Sequence, residues 1–263
     1  MIDLRFQEVI SINEIEWFAS TAYNVAIKSL SSNMDLKLDC FAQLAVDYIL
    51  MIPVQESTFP KLLHYTYWRF KCSVLCLVIS KDSIIREDDK GLQAIRNKSL
   101  DLMKEISHWK HSQNFQNDFD EKSFELIDEC FIDTLTLAYE ISLSLRDQLK
   151  ILDLVKMVGE LHNPLLEDSI ISSTLHMQDL FNEIRVEVLQ TIIDRNIVNM
   201  QIEDYKLCSW LRNLLDPSLN MQSSLTLELT ERVLARLSKA STVCDPDYNL
   251  LKQEAEMVAT LCW

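Results

Sequence analysis

The chain has 263 residues, of which 2 are glycine and 5 proline, and its 25 Lys plus Arg stand against 40 Asp plus Glu for a formal charge of −15. Glycine supplies the positive φ of tight hairpins, phosphate loops and strand-to-helix elbows, so its scarcity argues against dinucleotide folds, P-loops and most β-sandwiches. The acidic balance repels phosphate backbones and anionic lipid, while 48 % hydrophobic and 25 % charged residues describe a globular chain.

The 7 cysteines are an odd number spread through apolar helical patterns, which fits buried free thiols in a cytosolic or nuclear protein. The N-terminal stretch has an acid at Asp3 and no apolar core, so no signal peptide is expected. No apolar run approaches the roughly 20 residues of a membrane span.

Caps and apolar periodicity divide the chain into about ten helices. Asn13 with Glu16 forms a candidate capping pair for a first helix to Leu30, with Ile15, Phe18, Ala22, Val25 and Ala26 on one stripe. Asn33 caps a second, running to Met51 before Pro53, with Leu38, Phe41, Ala42, Ala45 and Ile49 on its apolar face. A third spans Phe59 to Ser80, and a fourth Glu87 to Trp109, with His108 and His111 near its negative pole. The polar run 112–120 is the best candidate for a subdomain break.

Helices follow over Glu121 to Leu143 and Arg146 to Leu161. Asn163-Pro164 then opens a seventh that continues to Arg195, with a kink expected near Ser172-Ser173. Three more cover Ile202 to Leu215, Ser223 to Ala240 and Pro246 to the end. Successive antiparallel helices with short joints predict an all-α fold, stacked as an α-solenoid of the tetratricopeptide type. Residues 1–112 and 121–263 are its N-terminal and C-terminal hairpins, within one continuous array. Ala22, Ala26, Ala42 and Ala45 are suited to close helix crossings.

Catalytic constellations are incomplete. Glu105, His108 and His111 form half of a di-iron pattern without a second Glu-x-x-His, Cys72 and Cys76 lack two further zinc ligands, and Asp88-Asp89 is followed by Leu92 where a third aspartate would be needed. No enzyme activity, cofactor, metal or small-molecule substrate is therefore expected. Between Glu56 and Asp82 there is no acid, whereas Lys61, Arg69, Lys71 and Lys81 lie there beside Tyr65, Tyr67 and Trp68. That helix either meets an acidic neighbour or binds an anion or acidic peptide through Lys61, Arg69 and Lys71.

A short repetition is legible: Glu14, Glu16, Ala19 and Tyr23 stand in step with Glu254, Glu256, Ala259 and Trp263. Glu14-Ile15-Glu16-Trp17-Phe18 with Ala22-Tyr23-Asn24 resembles an element of the meiotic scaffold family of sporulation protein twenty-two, also called zipper protein four. The second copy resembles a later element of that family, with Met257 in place of its tryptophan and Trp263 just before its asparagine. Trp68-Arg69-Phe70 and Ser173-Thr174-Leu175 extend the similarity along the chain.

The resemblance implies a fragment from the C-terminal half of a nuclear, non-enzymatic, tetratricopeptide-like scaffold on meiotic chromosomes, promoting crossovers and synapsis. Its implied partners are an XPF-like and an ERCC-one-like subunit and proteins of the synaptonemal central region, with no direct nucleic-acid or membrane binding. Trp263, Thr260, Glu256 and Asn24 are the candidate partner contacts. The other function considered is a general helical adaptor that binds phosphorylated or acidic peptides through residues 61–81.

Overall fold

The computed structural model describes residues 10–32, 38–52, 59–84, 88–114, 124–177, 180–198, 203–216 and 224–240. Within them are ten α-helices and no strand: α1 (Ile12–Ser32), α2 (Leu38–Leu50), α3 (Phe59–Asp82), α4 (Asp89–Asn114), α5 (Glu125–Ser144), α6 (Gln148–Glu160), α7 (Pro164–His176), α8 (Asn182–Asn196), α9 (Asp204–Leu214) and α10 (Ser224–Ala240). The chain forms two compact units, Met1–Ile141 and Ser142–Trp263. The expected cap at Asn33 and the expected helix from Pro246 lie outside the described residues.

In the first unit, Ile15 and Ala19 early in α1 cluster with Ile49 and Ile52 at the end of α2 and with Tyr65 early in α3. Ala22, Tyr23 and Ala26 later in α1 cluster with Ala42 and Ala45 of α2 and with Cys72, Leu75 and Ile79 of α3. Helix α2 therefore runs antiparallel to both, and α1 and α3 run parallel. The alanines are what permit this: Ala26, Ala42 and Ala45 are fully buried, and their short side chains let the axes approach toward the lower end of the usual 8–10 Å range. Phe70 meets Trp109 late in α4, whereas Leu77 and Ser80 share a groove with Ile95 and Lys98, so α4 is antiparallel to α3. Lys81 reaches Glu140 of α5 at 2.5 Å.

The second unit repeats this logic with a regular period. Gln148 bonds Glu187 and Arg195 bonds the Val155 carbonyl, at separations of 39 and 40 residues, so α6 and α8 are parallel. Asp168 of α7 accepts from Lys206 and Trp210 of α9, 38 and 42 residues on. Gln190 bonds Thr226, and Arg232 bonds Asp194, aligning α8 with α10 at separations of 36 and 38. Asn196 at the end of α8 bonds Glu167 at the start of α7, which makes those two antiparallel. Alternate helices running parallel and in register is the pattern of stacked hairpins, in which each unit buries its apolar face against the next. Helix α8 is central and touches α6, α7, α9 and α10, which is why Ile184, Val186, Val188, Leu189, Ile192 and Ile193 are buried on nearly every side of it.

Three boundaries differ from the sequence expectation. The first cap is Ser11 rather than Asn13: the Ser11 amide and hydroxyl donate to Glu14 at 2.8 Å, and the Glu14 amide donates back to Ser11 Oγ at 3.3 Å. That reciprocal box satisfies two orphan donors at once and moves the start two residues upstream. Helix α4 continues through Asn114, so the first three residues of the run 112–120 are helical; residues 115–120 lie outside the described residues.

The single seventh helix is two. Met177 is extended at φ −74°, ψ 98°, and its carbonyl accepts from the Arg185 guanidinium, which also reaches Asn182 Oδ1 at 3.3 Å. The chain turns there without glycine or proline, between two β-branched apolar runs that read as one. Two joints contain left-handed stops, and no glycine occupies them. Arg146 has φ 52° and His162 has φ 48°. At the first, the Asp147 amide bonds the Ser142 carbonyl and the Arg146 amide bonds that of Leu143, the paired bonds of a Schellman stop.

Candidate partner-binding surface

The element Glu14 to Asn24 divides between structure and surface. Glu16 faces α3, where the Tyr65 hydroxyl donates to it at 2.6 Å; this bond, more than burial, pushes the Tyr65 phenol up to about 12. Tyr23 is buried edge-on to Trp68 at 5.3 Å, and its phenol is raised chiefly by burial. The Lys71 ammonium lies 5.9 Å above the Tyr23 ring and 5.0 Å above the Tyr67 ring, and bonds Tyr67 Oη at 2.6 Å. Tyr65, Tyr67 and Trp68 thus lie within the α1–α3 packing. Only Tyr67 and Trp68 keep partial exposure, and Trp68 packs against both core clusters.

The cations of α3 diverge. Arg69 pairs with Glu105 of α4, Lys81 with Glu140 of α5, and Lys71 turns back onto the aromatic rings, while Lys61 is exposed in the first turn. Three of the four therefore meet partners on different elements. Glu105 is held by Arg69, while His108 and His111 are exposed. Among the described residues no group of three or more His, Cys, Asp or Glu side chains is placed to hold a metal ion. Asp88 has a local task, accepting the Gly91 amide at 2.9 Å as the cap of α4. Cys72 and Cys130 are buried thiols, and burial pushes each up to about 12.

Asn24 is exposed and shares an outward stripe of α1 with Thr21 and Trp17, at helical spacings of three and four. Trp17 is 62 % exposed, edge-on to Phe18 at 5.1 Å, and Phe18 stacks on Tyr48 of α2 at 5.4 Å. Sequence reasoning did not select Trp17 as a contact residue. The available signal was that it falls off the stripe of Ile15, Ala22 and Ala26, which leaves a large aromatic with no core to enter. Trp263, Thr260 and Glu256 lie outside the described residues, as does the second copy of the acidic-aromatic element. No helix among the described residues is long and apolar enough to cross a membrane.

The hairpins and their outward side chains define an all-α stacked array, a class in which exposed helix faces and turn edges are the parts free to meet other molecules. The chain is 35 % identical over 259 residues to sporulation-specific protein 22 of Saccharomyces cerevisiae, an alignment covering 98 % of this chain and 26 % of that protein. The chain belongs to the sporulation protein twenty-two family. It spans about a quarter of the length of that relative. No family model matches the chain, and no solved structure matches it at a significant level.

Proposed function

We propose that this chain is part of a non-enzymatic protein-interaction scaffold that acts in meiosis, at the stage that leads to spores or gametes. The observation that carries the reading is the similarity to a sporulation-specific protein along nearly the whole chain. The fold supports it physically, because stacked hairpins offer extended surfaces that hold partner segments through aromatic anchors and polar rims. In this reading the protein is tetratricopeptide-like, resides in the nucleus on meiotic chromosomes, and promotes crossing over and synapsis. Its partners are an XPF-like and an ERCC-one-like subunit and proteins of the synaptonemal central region, reached without direct contact to nucleic acid.

The test is affinity purification of the tagged chain from cells in meiosis and from vegetative cells, with bound proteins identified by mass spectrometry. The reading predicts recombination and synapsis proteins in the meiotic sample alone. Recovery of no meiosis-specific protein, or of an activity that turns over a small molecule, contradicts it.

A further inference from the structure

Three aromatic rings adjoin on the outside of the first hairpin. Trp17 stands edge-on to Phe18 at 5.1 Å, and Phe18 stacks on Tyr48 of α2 at 5.4 Å. Trp17 is 62 % and Phe18 37 % exposed, and Tyr48 is half-buried. Glu16 accepts from Tyr65 and so marks the side of α1 that meets α3. Phe18, two residues on, stands about 200° round the helix and therefore on the opposite side. A single exposed tryptophan needs no explanation, whereas rings in contact across two packed helices make a continuous aromatic platform.

Two properties of the platform select its occupant, and the first is hydrogen bonding. Trp17 Nε1 and Tyr48 Oη, the donors at its two ends, have no hydrogen-bond partner among the described residues. A docking α-helix has its backbone carbonyls taken by its own amides and would cover these donors without a main-chain acceptor. A polyproline II segment has no internal hydrogen bonds, so its carbonyls are free to accept from both, and its pyrrolidine rings pack against aromatic faces. The outer two rings stand no further apart than the two ring spacings combined, which is close to one turn of such a segment, about 9.3 Å.

The second property is charge. Glu14 stands three residues before Trp17 and four before Phe18, which makes it their neighbour on the helix surface. It is exposed, and the bonds it accepts from the Ser11 amide and hydroxyl hold its carboxyl below the ordinary value of 4.5. Helix α2 has no Lys or Arg, and the one cation of α1, Lys28, lies about 15 Å along the axis from Phe18. The cations of α3 belong to the helix on the other side of α1. Within its own hairpin, the platform is thus bordered by an ionised carboxylate with no cation beside it.

We propose that this platform binds a proline-rich segment of a partner protein in the polyproline II conformation, with prolines packed on Trp17, Phe18 and Tyr48 and a Lys or Arg beside Glu14. The proposal rests on the scaffold reading and names the chemistry of one of its partners.

The probe is a fluorescein-labelled synthetic peptide of about nine prolines with lysine at both ends, titrated into the full chain and read by fluorescence anisotropy. Trp17→Ala weakens binding by about tenfold or more. Tyr48→Phe keeps the ring, removes only the hydroxyl donor, and weakens binding by about threefold to tenfold. Glu14→Gln retains a capping box with Ser11, weakens binding of the lysine-tagged peptide, and leaves that of the same prolines without lysine unchanged. Leu165→Ser, in the other unit, changes neither. Unchanged binding by Trp17→Ala or by Tyr48→Phe overturns the proposal, and the second variant keeps the test decisive if the first misfolds. So does an amphipathic leucine-and-lysine helix that competes for the platform and binds more tightly than the proline peptide. A dimer of the unmodified chain, seen by sedimentation and abolished by Trp17→Ala, overturns it too, because the platform then pairs with a second copy. Absence of proline-peptide binding, with meiotic partners still recovered from cells, sinks this surface and leaves the scaffold reading intact. Peptide binding with no meiotic partner recovered does the reverse.

Discussion

Ala45 and Glu167 show how a single side chain sets the tolerance of each unit. Ala45 is fully buried where α1, α2 and α3 converge, so Ala45→Leu inserts methylenes into space already filled by Cys72 and Leu75. The expected loss is about 1–3 kcal/mol, read as a lower urea midpoint with an unchanged slope. The small side chains at 22, 26, 42 and 45 were legible as crossing residues because a helix face offering alanine where leucine is usual has no other packing rationale.

Glu167 was not legible in this way. It sits in the first turn of α7, where an acid favours the helix dipole, but it is only 1 % exposed. Asn196 Nδ2 donates to its Oε1 at 2.9 Å, Arg195 lies 3.9 Å away, and Oε2 is buried without a hydrogen-bond partner among the described residues. Burial raises its pKa from 4.5 against the opposing effects of Asn196, Arg195 and His162, with Asp168 adding to the rise. The folded state therefore holds the proton more tightly than the unfolded chain. Its stabilising share is full below the unfolded pKa of 4.5 and is lost as pH rises through the folded value. Glu167→Gln removes this titration, and thermal melts from pH 4 to 7 should decline less with pH for the variant than for the parent; an unchanged slope contradicts the assignment.

At the scale of elements, the joints decide the fold's period. Two of them use the same two-residue rule, a left-handed residue followed by an Asx cap: Arg146 with Asp147, whose side chain accepts the Lys150 amide, and His162 with Asn163, whose side chain accepts those of Leu165 and Leu166. A left-handed L-residue costs roughly 1–2 kcal/mol, partly offset in glycine by the entropy of the unfolded chain. His162→Gly should therefore stabilise by about 0.5–1 kcal/mol, while Asn163→Ala should destabilise by about 1 kcal/mol. Both are read by chemical denaturation, and a stabilised Asn163→Ala would contradict the cap.

The Asn163-Pro164 start was plain in the sequence because its side-chain chemistry is local. The stops at Arg146 and His162 were not, because backbone bonds at the helix ends accompany them and no glycine marks them. The α7–α8 break was hidden because the Arg185 bond to the Met177 carbonyl leaves no mark in a sequence that keeps helical periodicity on both sides. Glycine has a different role at Gly159. A Cβ there would stand 1.5 Å from Arg195 Nη1, so the missing side chain makes room for the guanidinium that bonds Val155 and ties α6 to α8.

For the whole molecule, composition foretold the class and left the surfaces open. Scarce glycine and proline pointed to helices with brief joints, and a charge of −15 places solubility and partner choice on the acidic side. Periodicity identifies buried faces, but it carries no signal for which outward residues matter. Trp17 emerges only when exposure is measured. The basic stretch of α3 read either as a helix meeting acidic neighbours or as an anion site; in the structure Arg69 and Lys81 pair with Glu105 and Glu140, Lys71 bonds Tyr67, and Lys61 is exposed. The central claim is that this array contributes to meiosis by binding, and its most direct test is an in-frame deletion of the codons for residues 10–240 from the chain's own gene, scored for crossover frequency and spore or gamete viability. The account predicts that both fall while vegetative growth is unchanged; normal crossing over and viability after the deletion would contradict it.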